Sequence, residues 1–176
     1  EESKLPLNDY SPGWRDMMRY LLMALEVPED EAIALSDAMW DWKDGDDTPV
    51  GGEGESERDY YGEKAASISG VRYDPEDSTA IVPKNGPFLA IDELLQLPGM
   101  TPEVFYGYDP AEQKDPPFFP LIGADESRRR PGLRDLLTMR SQGFNLNTAG
   151  LECLTAVCAY ATEDLDNGAS LARQIM

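Results

Sequence analysis

The segment Trp40-Asp41-Trp42-Lys43-Asp44-Gly45-Asp46-Asp47 joins the apolar end of a predicted helix to a loop that is rich in carboxylates and glycines. Residues 26–63 contain fourteen acidic and two basic side chains, so most of the net negative charge lies here. Such a density of like charge is tolerated only when the side chains are solvated or when a metal ion neutralises them. The segment therefore predicts the point where a helical core meets a candidate cation site.

Two amphipathic helices are predicted before this segment. Ser11 is the expected N-cap of the first, with Pro12 at its first helical position. Its apolar stripe consists of Trp14, Met17, Met18, Leu21, Leu22 and Leu25. Val27-Pro28 ends this helix, and the acidic residues 29–31 favour the first turn of a second one. The buried face of the second helix is predicted to contain Leu35, Ala38, Met39 and Trp42. We expect the two helices to pack as an antiparallel pair.

The remainder of the chain is predicted to form loops and short helices. Residues 44–59 form a loop because no apolar period runs through them. Residues 65–83 are weakly patterned, with candidate short extended pieces at Val71, Tyr73, Ile81 and Val82. Residues 91–97 form a short helix that Pro98-Gly99 ends, and Thr101 caps the next one. Several prolines make residues 109–132 a long loop. Gly150 is the expected N-cap of a helix over residues 151–160, and residues 162–176 form either one flawed helix or a turn and a helix.

The predicted fold class is mainly α, a helical domain with helix-hairpin-helix-like units and long loops. We divide it into an N-terminal helical subdomain with the acidic loop, residues 1–83, and a helix-hairpin-helix-like subdomain, residues 84–176. Cys153 and Cys158 are five apart, so they point to different faces of one helix. They are predicted to be buried thiols and not a disulfide.

The composition argues against several classes of function. The 176 residues carry 34 acidic and 15 basic side chains, a formal charge of −19 that repels nucleic-acid phosphates and attracts cations and basic proteins. Histidine is absent, so serine, threonine and cysteine lack their commonest general base. We therefore expect a non-enzymatic protein. No apolar run approaches the roughly 20 residues that span a bilayer, and the start without methionine suggests a piece of a longer protein.

The acidic loop is a candidate calcium site. Calcium takes about six to eight oxygen ligands in relaxed geometry, which flexible loops with many acids supply well. The carboxylates available are those of Asp44, Asp46, Asp47, Glu53, Glu55, Glu57 and Asp59. The register of an EF-hand loop is missing. A solvated acidic loop without an ion is the alternative.

Five motifs occur in a fixed order along the chain. They are the segment 40–47 quoted above, Glu57 with Tyr60-Tyr61, Asn85-Gly86-Pro87-Phe88, Pro98-Gly99-Met100, and Asn145-Leu146-Asn147-Thr148-Ala149. In this order they resemble the general secretion pathway protein K family, the large minor pseudopilins of type II secretion.

The resemblance implies a helical domain with helix-hairpin-helix or SAM-like units, inserted in a pilin-like fold in the full-length protein. It implies a non-enzymatic subunit that assembles with the minor pseudopilins I and J at the pseudopilus tip, to initiate or cap the pseudopilus for protein export. An N-terminal helix missing from this chain would anchor it at the periplasmic face of the bacterial inner membrane. Calcium is the implied ion. The residues that correspond by position are the candidate ligands Asp44, Asp46, Asp47 and Glu57 and the bracing aromatics Trp42, Tyr60 and Tyr61.

A helix-hairpin-helix nucleic-acid-binding module is the alternative function. Pro98-Gly99 and Asn147-Thr148-Ala149 are similar to the repeats of competence DNA-uptake proteins. Those modules present glycine amides and lysines to phosphates. This chain lacks such lysines and carries the opposite charge, so we expect no nucleic-acid partner.

Overall fold

The computed structural model describes residues 2–52, 56–69, 83–107, 131–140 and 144–176. These residues form a mainly helical fold, which confirms the predicted class. The elements in chain order are β1 (Leu5–Pro6), α1 (Trp14–Ala24), α2 (Glu29–Lys43), α3 (Glu57–Ser69), a 3-10 helix (Ile91–Gln96), α4 (Pro102–Tyr106), α5 (Leu133–Leu136), β2 (Leu137–Thr138), α6 (Leu151–Thr162) and α7 (Leu165–Ile175).

Helices α1 and α2 form as predicted and pack against each other. The predicted start of α1 is wrong: its N-cap is Gly13, in a left-handed conformation with φ 89°. The Ser11 hydroxyl donates instead to Asp9 (2.8 Å), and Ser11 and Pro12 belong to the turn before the helix. A Cβ atom at Gly13 would collide with the Tyr160 ring of α6, so both backbone and packing require glycine there.

Helix α6 lies at the centre of the helical core because it packs against both α1 and α7. Gly150 is its N-cap, as predicted. Helix α7 starts after Asp164, whose side chain accepts a hydrogen bond from Asn167 N (2.7 Å), so the last segment is a turn and a helix. Gly168 lies so close to Ala159 of α6 that a Cβ atom there would overlap its backbone.

The start of helix α3 departs from the sequence prediction, which places a loop over residues 44–59. Ser56 caps this helix: its hydroxyl accepts from Asp59 N (3.3 Å) and donates to the Asp59 carboxylate (3.0 Å). The buried side chains Glu57 and Tyr61 share one face, one turn apart. The prediction is wrong for residues 57–59, because this buried face has no aliphatic period to reveal the helix.

The beginning of the chain forms a parallel pairing with residues in the last quarter of the sequence. Leu5 pairs with Leu137 and Pro6 with Thr138, and Leu7 N donates to Thr138 O (2.8 Å). Helix α1 likewise packs on α6, so elements of both predicted subdomains are in contact. The division at residues 83 and 84 stays a prediction.

The turn chemistry around residues 91–107 agrees with the sequence in part. Thr101 caps α4 by accepting from Val104 N (3.3 Å), as predicted, while residues 91–96 form a 3-10 helix and not an α-helix. A helix-hairpin-helix unit here stays a prediction. The extended pieces predicted over residues 70–82 and most of the loop predicted over residues 109–132 lie outside the described residues.

Candidate metal centre

Three carboxylates meet where the end of α2 faces the start of α3. Asp41 lies in the last turn of α2, Asp44 directly follows that helix, and Glu57 is the first residue of α3. One oxygen atom from each carboxylate lies within 4.8 Å of those of the other two. Such oxygen atoms are close enough together to bind one ion.

Asp41 and Glu57 are buried and Asp44 is half-buried, and much of the hydrogen-bonding capacity of the three carboxyl groups is unused. Glu57 is 1% exposed and Asp41 is 0% exposed. Among the described residues, no hydrogen-bond partner reaches either oxygen of Glu57, or the Oδ1 atoms of Asp41 and Asp44. Buried polar atoms are nearly always paired in folded proteins, because leaving them unpaired costs free energy. These oxygen atoms therefore have the arrangement expected of cation ligands.

The second oxygen of Asp41 is held in place from two sides. Asp41 Oδ2 accepts hydrogen bonds from Val50 N (2.9 Å) and from the Tyr61 hydroxyl (2.5 Å). Tyr61 is buried, and its ring packs edge-on against that of Tyr60, with the centroids 4.9 Å apart. These contacts orient Asp41 so that Oδ1 faces the group.

Burial and mutual repulsion make the three carboxyl groups harder to ionise. Burial, followed by the charges of Asp41 and Asp44, raises the pKa of Glu57 to about 8. Burial and the charges of Asp41 and Asp46 raise the pKa of Asp44 to about 6. Burial likewise raises the pKa of Asp41, although its hydrogen bonds from Tyr61 and Val50 oppose this. A bound divalent cation would remove the cause of this repulsion.

The donor set suits a hard cation. All three groups offer carboxylate oxygen, and glycines in the adjoining loop allow an adaptable shell, which calcium prefers. No nitrogen or sulfur ligand belongs to this group, so it differs from the usual zinc sites.

The structure brings together two of the four predicted ligands. Asp44 and Glu57 belong to the group, whereas Asp46 and Asp47 are exposed on the loop outside it. Asp46 Oδ1 accepts from Thr48 N (2.9 Å), although the charges of Asp46 and Asp47 both contribute to the raised pKa of Glu57. Asp41 was not among the predicted ligands, but its spacing of three residues from Asp44 places both on one side of the helix end.

The three aromatic residues predicted to brace the loop, Trp42, Tyr60 and Tyr61, contact different sides of the carboxylate group. Trp42 Nε1 donates to Glu93 Oε2 (3.1 Å), and the Trp42 ring stacks on Phe88 with the centroids 6.0 Å apart. Tyr61 contacts the centre itself through Asp41, and Tyr60 supports Tyr61. Trp42 therefore holds α2 against residues 83–93, while Tyr61 ties α2 to α3.

Residues 5–111 match the family model for the Type II secretion system (T2SS), protein K. The match includes Asp41, Asp44 and Glu57 and more than half of the chain. The chain belongs to this family. No curated protein matches it.

A solved structure of the T2SS protein K type shows the same fold. The protein is similar to a chain in the crystal structure of the GspK-GspI-GspJ complex from the enterotoxigenic Escherichia coli Type 2 Secretion System, with 17% identity and a TM-score of 0.53. The similarity covers 90% of this chain and 47% of that chain, so this chain spans about half the length of its structural relative. Among the described residues, no helix is both long and apolar enough to cross a membrane.

Proposed function

We propose that this chain is the helical domain of a non-enzymatic, structural subunit at the tip of a type II secretion pseudopilus. The observation that carries the proposal is the family match together with the fold shared with a chain of the GspK-GspI-GspJ complex. The expected partners are the I and J minor pseudopilins, and the expected location is the periplasmic face of the inner membrane. The missing histidine and the strong negative charge support a contact function over catalysis or nucleic-acid binding.

Calcium binding at the metal centre is the second part of the proposal. Asp41, Asp44 and Glu57 are the proposed ligands, and the predicted ligands Asp46 and Asp47 add negative potential from the exposed part of the loop. The unpaired buried oxygens support this assignment. A bound calcium ion would neutralise the carboxylates and join the end of α2 to the start of α3. Calcium bound in this position would have a structural role.

Co-purification tests the assembly. The full-length protein is co-expressed with its neighbouring I and J minor pseudopilins, and the tagged J subunit is captured in calcium and in a chelator. We expect a stable complex in calcium that contains all three proteins. If I and J are captured together but this protein is absent both in calcium and in chelator, the proposed function is refuted.

The metal centre is tested separately by titrating the purified chain with calcium in a calorimeter. The double variant Asp41→Asn/Asp44→Asn should lose the binding heat. Glu29→Gln/Asp30→Asn, which removes two exposed charges from the other end of α2, is the matched control and should retain it. Equal binding by both variants would contradict the assigned ligands.

A further inference from the structure

Lys43, the last residue of α2, is buried to 1% exposure, and this burial lowers the pKa of its amine to about 7, although the charges of Asp9 and Asp44 oppose the shift. Its ammonium group donates hydrogen bonds to Leu7 O (3.2 Å) and Asp9 O (2.5 Å). It also lies 3.1 Å from the ring centroid of Trp14, and 5.0 Å from those of Tyr10 and Trp40. Carbonyl oxygens and aromatic faces thus stabilise this charge at close range. No carboxylate among the described residues forms a salt bridge with it.

Lys43 holds the beginning of the chain against the end of α2. We call residues 5–10 the entry segment. The Tyr10 hydroxyl donates to Lys43 O (2.9 Å), so this residue binds the entry segment through its side chain and its backbone. The same segment begins with β1, which pairs with β2. Disturbing Lys43 therefore affects a segment that helps close the fold.

A second route connects the entry segment to the acidic loop. The Asn8 side chain exchanges two hydrogen bonds, both 2.9 Å, with the backbone of Phe88. Two residues before Phe88, Gly86 N donates to Trp42 O (3.3 Å), and the Asn85 side chain donates to Asp46 O. The segment 85–88 therefore links Asn8 to the loop that follows the metal ligands.

Both routes arrive at the backbone of the metal centre, because Trp42 and Lys43 lie between Asp41 and Asp44. We propose that calcium binding to Asp41, Asp44 and Glu57 and the docking of the entry segment on α2 are coupled, so that each strengthens the other. The inference rests on the proposed calcium centre. Without the ion, nothing joins the three carboxyl groups across the gap between α2 and α3, so the end of α2 and both of its attachment points to the entry segment are held less firmly.

The sign of the coupling follows from the backbone atoms that join α2 to its neighbours. The Tyr10 hydroxyl donates to Lys43 O and Gly86 N donates to Trp42 O, and both acceptors stay available when the carboxylates bind the ion. An ion that fixes the backbone between Asp41 and Asp44 therefore fixes these two acceptors. Calcium should therefore order the entry segment.

Hydrogen exchange with calcium as the only added ligand tests the coupling. We expect saturating calcium to slow amide exchange of residues 5–10 at least about fivefold, the lower end of typical coupling between sites. By reciprocity, Tyr10→Phe/Asn8→Ala should weaken calcium binding by up to the same factor without changing the charge, since it removes part of the docking contacts. Tyr10→Phe alone should give a smaller effect in the same direction, and it serves if the double variant folds poorly. Ser67→Ala, which removes an exposed side-chain hydrogen bond to Lys64 O (2.9 Å), is the control and should change neither quantity.

The outcomes separate this inference from the metal centre. Calcium binding that leaves exchange of residues 5–10 unchanged, or wild-type affinity in the folded Tyr10→Phe variant, overturns the coupling while the centre stands. No calcium binding by the wild-type chain overturns both. Slower exchange together with weaker binding by the entry-segment variants supports both.

Discussion

Calcium should reverse the order of stability of the Glu57→Gln variant and the wild type at high pH. The variant should be the more stable protein in chelator, and the wild type should gain more stability in calcium. Without calcium, the buried wild-type carboxyl group has its pKa raised from 4.5 to about 8. Because the pKa of this acid is raised on folding, the contribution of Glu57 to the free energy of unfolding is complete below pH 4.5 and is lost as the pH rises through 8. The difference of about 3.5 in pKa corresponds to about 5 kcal/mol as an upper limit. Glutamine does not ionise, so the Glu57→Gln variant should not lose this stability as the pH rises.

Urea unfolding followed by tryptophan fluorescence measures the effect. In chelator at pH 9, we expect Glu57→Gln to be more stable than the wild type by a few kcal/mol, and at pH 4.5 the two should be nearly equal. In calcium at about 1,000 times its Kd, the wild type should gain about 4 kcal/mol and the variant much less. Glu63→Gln, an exposed position on the same helix, is the control and should differ from wild type by less than about 0.5 kcal/mol. A Glu57→Gln variant no more stable than wild type at pH 9 in chelator would refute the reasoning.

Three further predictions concern the same centre and the helical core. Asp41→Asn should weaken calcium binding by at least about tenfold because it removes a proposed ligand. Asp46→Asn, on the exposed loop, should change the affinity only a few fold. Calorimetry that ranks the two variants in the opposite order would contradict the assigned ligands. Calcium affinity should rise from pH 5 to pH 8 as Asp44 and Glu57 lose their protons, with protons released on binding, and a pH-independent affinity would argue against these ligands. Gly168→Ala should destabilise the chain by about 1–3 kcal/mol in urea because its methyl group overlaps α6, and an unchanged midpoint would show that the two helices separate freely.

Much of the fold could be predicted because its first two helices follow local rules. The apolar stripe from Trp14 to Leu22 and the acidic first turn at residues 29–31 locate α1 and α2. Helix α3 was missed because Glu57, a charged residue, occupies its buried face. The burial of this side chain depends on how the end of α2 meets the start of α3, which is a property of the tertiary structure.

The sequence predicted that carboxylates form the candidate site, but it did not predict which carboxylates come together. The acidic loop drew attention to Asp44 and Glu57, whose oxygens approach those of Asp41. Asp41 itself looks like an ordinary polar residue of an amphipathic helix, and only the fold of residues 44–57 brings Glu57 onto it. Lys43 was equally hidden, because its burial depends on Tyr10 and Trp14, about thirty residues earlier in the chain.

The contact between Gly13 and the Tyr160 ring has a consequence for relatives of this protein. The two positions are far apart in sequence, yet a side chain on one occupies the space of the other. Relatives that keep this junction of α1 and α6 should carry glycine at the first position whenever an aromatic ring stands at the second. Where a larger residue replaces the glycine, the ring should shrink in the same lineage, so paired substitutions across an alignment would trace the junction through evolution.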